Sequence, residues 1–321
     1  MEESKLIFII SQPRSGSTYL QNLLSNNNQV NTCSEPWIML NFTPFLKPKL
    51  IQSGYNQRWT YDAFEEFLLK YPELDFNERL KSFVLQLYQP MASGYDFVID
   101  KTPRYWEIIE ELMALFPKSH FIVLKRNPLD VGRSIINTWN TTSIEKLFRF
   151  QRDLLLAPKV LHEFLQKNNN NPQVFGLTYE ELISDLSGTT QKLYKWLDIE
   201  YSEEVLETTN NIKYKGKFGD PRQNSVKPVK KSTDINRESY FTNQFLLGYE
   251  AYLTEDFLFE YGGYKSNGGQ ETKTFNTFFN MEDLIWKLNR QLNDIRSSTT
   301  FQVGDLILKP LKAVQRLFKM N

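Results

Sequence analysis

Ser11-Gln12-Pro13-Arg14-Ser15-Gly16-Ser17-Thr18 follows an apolar run, Leu6 to Ile10, and precedes a helical pattern marked by Leu20, Leu23 and Leu24. A turn between a buried strand and a helix leaves backbone N–H groups aimed at whatever lies over the helix N-terminus, and the helix dipole favours an anion there. Gly16 lets a ligand approach the backbone around Ser15. Ser17 and Thr18 add hydroxyl donors, and Arg14 adds a fixed charge able to contact two oxygens at once. The nucleotide-binding loop G-x-x-x-x-G-K-[ST] needs its first glycine for a wide cradle, its lysine for the terminal phosphates and its last hydroxyl for magnesium. Here Ser11 replaces that glycine and Ser17 the lysine, so the charge moves upstream to Arg14. Such a cradle suits one phosphate carrying a less charged leaving-side group. The plainer alternative is a capped helix start with a surface arginine.

Three other places carry usable chemistry. Phe121 to Leu124 leads into Lys125-Arg126-Asn127-Pro128, with Ser134 eight residues after Arg126. This puts Arg126 at a strand end and Ser134 about two turns into the next helix, unless they are a surface ion-pair partner and a solvated serine. Asp100-Lys101-Thr102-Pro103 ends another apolar run, and Lys101 is either a site cation or a surface lysine paired with Asp100. Glu35, in Cys33-Ser34-Glu35-Pro36, is kept out of a helix by the following proline and held in an extended turn.

The elements that must position these residues form a repeating grammar. Short apolar runs at Leu6 to Ile10, Phe97 to Ile99, Phe121 to Leu124 and Val174 to Leu177 are each followed by helical spacing. This alternation predicts an α/β fold, a parallel sheet with helices on both faces and ligands at the carboxyl ends of its strands. Residues 41–94, rich in aromatics with helical stretches near Tyr61 to Leu69 and Glu78 to Tyr88, read as an insertion on the acceptor side. Residues 1–264 form the main domain, 265–280 a linker around Ser266 to Gln270, and 281–321 a helical extension.

Composition narrows the function classes. The 321 residues hold 38 Lys+Arg against 38 Asp+Glu, which argues against a general polyanion or nucleic-acid binder. Forty per cent hydrophobic and 24% charged residues suit a soluble globular protein with a sizeable core. A single cysteine, Cys33, makes an internal disulfide impossible and a thiolate metal site implausible. The N-terminus shows no signal-peptide pattern and no stretch is long enough to span a bilayer, so a reducing, cytoplasmic setting is expected. His120 and His162 are the only histidines, one beside a strand and one in a polar helix, and neither is placed as a base.

The motifs together resemble the sulfotransferase family, P-loop-like enzymes that use 3′-phosphoadenosine 5′-phosphosulfate (PAPS), over about residues 5 to 264. The resemblance implies that Arg14, Ser15, Gly16, Ser17 and Thr18 form the 5′-phosphosulfate loop and that Arg126 and Ser134 hold the 3′-phosphate. It further implies that Tyr179, in Thr178-Tyr179-Glu180-Glu181-Leu182, lies near the adenine, and that Lys215 and Gly216 belong to a late loop closing over the 3′-phosphate. Tyr214 stands where that loop usually has arginine, leaving the contact to Lys213 or Lys217. Lys101 matches a lysine placed against the sulfuryl oxygens. Pro103 occupies the place of the histidine base of many small-molecule members, while Glu35, 21 residues after Arg14, matches the carboxylate base of protein-tyrosine sulfotransferases. The expected reaction is in-line sulfuryl transfer to a hydroxyl without a metal, with Glu35 as base and Arg14 and Lys101 as stabilising cations.

The acceptor is expected to be a carbohydrate or glycolipid; Trp37, Phe42, Phe45, Tyr55, Trp59 and Tyr61 either stack on it or belong to the core. Along Gly304 to Asn321, Ile307, Leu311, Val314 and Phe318 share one helical face and Lys309, Lys312, Arg316 and Lys319 the other. That pattern fits an anionic membrane surface, a partner, or this protein's own domain. Two other readings remain open at this level: a P-loop kinase, which the missing loop lysine disfavours, and a non-catalytic nucleotide-binding scaffold.

Overall fold

A computed structural model describes residues 1–207, 239–270, 272, 274–275 and 277–279. Lys215, Gly216, their neighbours and the extension from 281 onward lie outside the described residues. Five strands, β1 (Leu6–Ser11), β2 (Val30–Thr32), β3 (Phe97–Lys101), β4 (His120–Lys125) and β5 (Val174–Thr178), form one parallel sheet in the order β2-β3-β1-β4-β5. Four of them are the apolar runs of the sequence. The fifth, β2, pairs Val30 with Phe97 and Thr32 with Ile99; three residues are too few for a periodic signal, and only pairing with β3 makes them a strand.

β1 is central, and its hydrophobic residues are fully buried because helices cover both faces. Leu6, Phe8 and Ile10 pack with Leu80, Val84 and Tyr88 of the helix Phe76–Tyr88 and with Leu161 and Phe164 of Ala157–Lys167. Ile7 and Ile9 face the other way, towards Leu20, Leu23 and Leu24 of Ser17–Ser25 and Leu193 of Leu186–Trp196. A third core joins Pro128–Thr138 to Tyr240–Leu253.

Residues 265–270 do not run free as the Ser/Asn/Gly composition of Ser266 to Gln270 suggests. The Ser266 hydroxyl donates to Glu250 Oε1 at 2.9 Å, Gln270 N donates to the Leu247 carbonyl, and Phe275 and Phe278 are fully buried against Phe245. The aromatic residues beyond the polar stretch hold it down. In the insertion, Phe76–Tyr88 docks on the sheet, whereas Gln57–Lys70 buries no residue, so Trp59 (58% exposed) and Leu69 (81%) face solvent.

Asp100, fully buried on the face opposite Lys101, accepts hydrogen bonds from the Tyr88, Tyr105 and Thr102 hydroxyls. Burial pushes its carboxyl up to about 6, against the pull of those donors and of Lys101. The folded state therefore takes up this proton before the unfolded chain does. Stability from this group rises as pH falls from about 6 to about 4, and above pH 6 the ionised form costs roughly 3 kcal/mol. Asp100→Asn removes the titration. Urea melts of wild type and variant should show their stability difference moving in favour of wild type between about pH 7 and pH 4.5; a constant difference would refute this.

Candidate active site

Sheet register assembles the site. β3, β1 and β4 are neighbours, Ile9 pairing with Lys101 and Ser11 with Leu124, so Lys101, the turn after β1 and Arg126 emerge side by side. The chain leaves β1 for β2 and β3 on one side and then crosses to β4 and β5 on the other. Ligands of open α/β sheets bind outside the carboxyl ends at such a reversal.

In the turn, Arg14 (φ 75°) and Gly16 (φ 93°) are both left-handed and bracket Ser15, a backbone shape that forms anion-binding concavities. A left-handed arginine is strained by about 1–2 kcal/mol, and Arg126 Nη1 holds it by donating to the Arg14 carbonyl at 3.1 Å. A Cβ on Gly16 would lie 2.5 Å from the Tyr179 ring. Gly16→Ala should thus both strain the turn and displace Tyr179, lowering stability by roughly 1–3 kcal/mol; a thermal melt at the wild-type midpoint would contradict this. The Ser15 hydroxyl and Arg126 Nε are buried without a hydrogen-bond partner. Buried polar atoms are nearly always paired; Ser15 belongs to the concavity, and Arg126 reaches its edge through the contact on the Arg14 carbonyl.

The candidate residues gather in two groups joined by the turn. In the first, Arg14 Nε donates to the Ser134 hydroxyl at 3.4 Å, and the Arg126 guanidinium lies 4.6 Å over the Tyr179 ring. Tyr179 is 5% exposed. Burial raises its phenol pKa while the Arg126 charge pulls it back. In the second, Lys101 Nζ donates to Glu35 Oε1 at 2.7 Å and to Thr18 Oγ1 at 3.3 Å. The Lys101 side chain is 1% exposed and that of Glu35 14%. The indole Nε1 of Trp37 donates to Glu35 Oε2 at 3.2 Å, so both carboxylate oxygens are held. Lysine has three N–H donors, and two are used here by Glu35 and Thr18.

Three residues around Glu35 were not singled out for these roles by sequence reasoning. Trp37, an aromatic open in sequence to stacking or core packing, is here a hydrogen-bond donor with φ 54°. Arg104, one residue beyond the Lys101 segment, lies 5.5 Å over its ring, and Asp153 holds Arg104 through a bidentate pair. The charge of Arg104 directly after Pro103 was the available signal for the first link; nothing local marks Asp153. His120 opens β4 against Phe97 and Trp196, and His162 packs on Phe257 and Tyr261. Burial lowers the pKa of both. A groove of about 850 Å³ beside β5, lined by Lys125, Thr178, Glu180 and Tyr261, contains none of the residues of either group.

The model of the sulfotransferase family matches residues 7–203, more than half of the chain, and the protein belongs to that family. It is 30% identical over 149 residues to the nodulation protein NoeE of Sinorhizobium fredii (strain NBRC 101917 / NGR234), a match covering 44% of this chain and 33% of NoeE. It is 22% identical over 208 residues to a putative protein-tyrosine sulfotransferase of Caenorhabditis briggsae, covering 63% of this chain and 68% of that protein. The match thus spans a third of the length of NoeE. Among solved structures, the sulfotransferase domain of the Synechococcus PCC 7002 olefin synthase is similar at 16% identity and a TM-score of 0.47, over 75% of this chain and 92% of that domain.

Proposed function

We propose that the protein transfers a sulfuryl group from PAPS to the hydroxyl of a carbohydrate or glycolipid by in-line displacement. The carrying observation is the pair Glu35–Lys101, 2.7 Å apart, next to a turn whose Ser15 hydroxyl and Arg126 Nε lack partners. Those orphaned groups fit a nucleotide with two anionic ends. Ser15, Gly16, Ser17 and Thr18 would hold the 5′ side, and Arg126 and Ser134 the 3′-phosphate. The Tyr179 ring stacks on Arg126, and its place near the adenine, like the roles of Lys215 and Gly216, rests on family resemblance alone. The donor supplies an activated sulfuryl group that bears little charge, so arginine and lysine suffice as stabilising cations.

Glu35 accepts the proton of the acceptor hydroxyl. In the resting protein its charge is balanced by Lys101; as Glu35 takes the proton, that balance ends and the ammonium becomes available to the oxygens on the leaving side. Arg14, tied to Ser134, adds charge from the opposite flank. Exposed Phe45, Tyr55 and Trp59 offer ring faces for a sugar.

Calorimetry with adenosine 3′,5′-bisphosphate against ATP plus magnesium tests the donor. Preference for the bisphosphate is expected, preference for ATP would support a kinase, and bisphosphate binding without turnover would support a scaffold. Arg126→Ala should weaken bisphosphate binding about 10- to 150-fold, the loss of charge-assisted hydrogen bonds worth about 1.5–3 kcal/mol; unchanged affinity would remove Arg126 from the site. An acceptor screen should include oligosaccharides, glycolipids, phenols and tyrosine peptides, the last because one relative is named for that substrate. No helix among the described residues is long and apolar enough to cross a membrane. A cytoplasmic location, with the basic segment 304–321 touching a membrane surface, completes the proposal, and loss of liposome flotation on deleting residues 300–321 would support that contact.

A further inference from the structure

Glu35 sits on an extended loop, yet a base must be held within a fraction of an ångström of its working position. Its clamp is the Trp37 indole, and Trp37 itself occupies a left-handed conformation, φ 54°, that a bulky residue adopts only when its surroundings impose it. Contacts on its main chain and its ring hold it there, among them the Asn41 side-chain amide, which donates to the Trp37 carbonyl at 2.9 Å. The Trp37 amide faces the Thr102 hydroxyl oxygen at 3.4 Å, and that hydroxyl spends its proton on Asp100 Oδ1 at 2.8 Å. The ring lies under the Arg104 guanidinium at 5.5 Å.

Arg104 is in turn fixed by Asp153. Its Nε donates to Asp153 Oδ1 at 3.1 Å and to Oδ2 at 2.9 Å and its Nη2 to Oδ2 at 2.7 Å, while Trp106 Nε1 donates to Oδ1 at 3.2 Å. Asp153 is 3% exposed, an expensive place for a carboxylate unless it is paired and hydrogen-bonded as it is here. The Asp153 carbonyl also accepts from Gln12 Nε2 at 2.8 Å. Gln12 opens the turn after β1, so one buried residue on the helix Gln151–Leu155 grips the donor turn with its main chain and the loop of the base with its side chain.

We propose that Asp153 and Arg104 are positioning residues for the transfer step, setting the Trp37 indole against Glu35 and registering that carboxylate to the turn that holds the donor. This rests on the sulfotransferase reading above. Neither residue needs to touch a substrate, so their loss acts on turnover more than on binding.

The test compares Arg104→Ala, Asp153→Asn and Trp37→Phe in the full chain. Trp37→Phe keeps the ring and deletes only the indole donor, so it stays informative if the Asp153 variant misfolds. Each is expected to lower kcat about 10- to 100-fold with both KM values and the bisphosphate Kd within threefold. Non-denaturing guanidinium should restore part of the activity of Arg104→Ala and none of that of Trp37→Phe. The indole ¹H–¹⁵N resonance of Trp37, assigned by its absence in Trp37→Phe, should shift in Arg104→Ala and Asp153→Asn as it does in Glu35→Gln. An unmoved resonance, or losses confined to KM, overturns the proposal. A wild-type protein that binds no bisphosphate and turns over no acceptor overturns the parent reading instead, and the resonance still decides whether the clamp exists.

Discussion

Glu35→Gln is expected to lower kcat about 100- to 10,000-fold, the range for loss of a positioned general base, while the bisphosphate still binds. The substitution keeps the size of the side chain and one carbonyl oxygen. Glutamine cannot accept a proton from a hydroxyl at neutral pH, and it cannot accept at both ends: if its oxygen faces Lys101, its amide N–H meets the Trp37 indole N–H. Lys101, 1% exposed, then loses its counter-charge, which lowers stability because a buried charge without a partner is costly. The same loss leaves more positive charge facing the donor turn, so bisphosphate affinity should hold or rise. Single-turnover kinetics paired with calorimetry measure both. Full activity in the variant requires another base. A parallel fall in activity and bisphosphate affinity indicates damage to the fold rather than to the chemistry.

Lys101→Ala is expected to cost about 100- to 1,000-fold in kcat, the usual effect of removing one preorganised group that stabilises transition-state charge. Its position is enforced from three sides: β3 delivers it beside β1, the Thr18 hydroxyl of the turn after β1 accepts one of its N–H groups, and Glu35 accepts another. Lys101→Arg should not rescue. The slot admits an almost wholly buried ammonium, and a planar guanidinium is larger and needs its donors in a fixed fork. Glu35 keeps only the indole in Lys101→Ala, so the base survives in a looser setting and residual turnover above background should remain. A kcat within threefold of wild type would leave Lys101 as a structural partner of Glu35 with no part in transfer.

Much of the frame was legible because it is written in local pattern. The five-residue apolar run Leu6 to Ile10 and the Pro-Arg-Ser-Gly-Ser-Thr stretch announce a strand, a tight turn and a helix in that order, and the alternation repeats down the chain. β2 escaped because three residues carry no period. The packing of residues 265–270 escaped because Ser266 to Gln270 have linker composition and the phenylalanines beside them in the core lie further on. Lys101 could be read as a partner of the adjacent Asp100, yet successive residues of a strand point to opposite faces; Asp100 is spent on Tyr88 and Tyr105, and Lys101 meets Glu35, 66 residues away in sequence.

The sequence by itself determined the α/β class, the strand–turn–helix that opens the fold, the exclusion of an internal disulfide, and the residue types available for transfer. These depend on neighbours in the chain, whose spacing fixes which face of a strand or helix a side chain occupies. The tertiary structure alone decided that Lys101, Arg14 and Arg126 converge, because the β3-β1-β4 order sets strands from distant parts of the chain side by side. It also decided that Glu35 is gripped by an indole anchored through Arg104 to Asp153. Such a chain of contacts has no sequence period, since each link is fixed by packing between separate elements rather than by spacing within one.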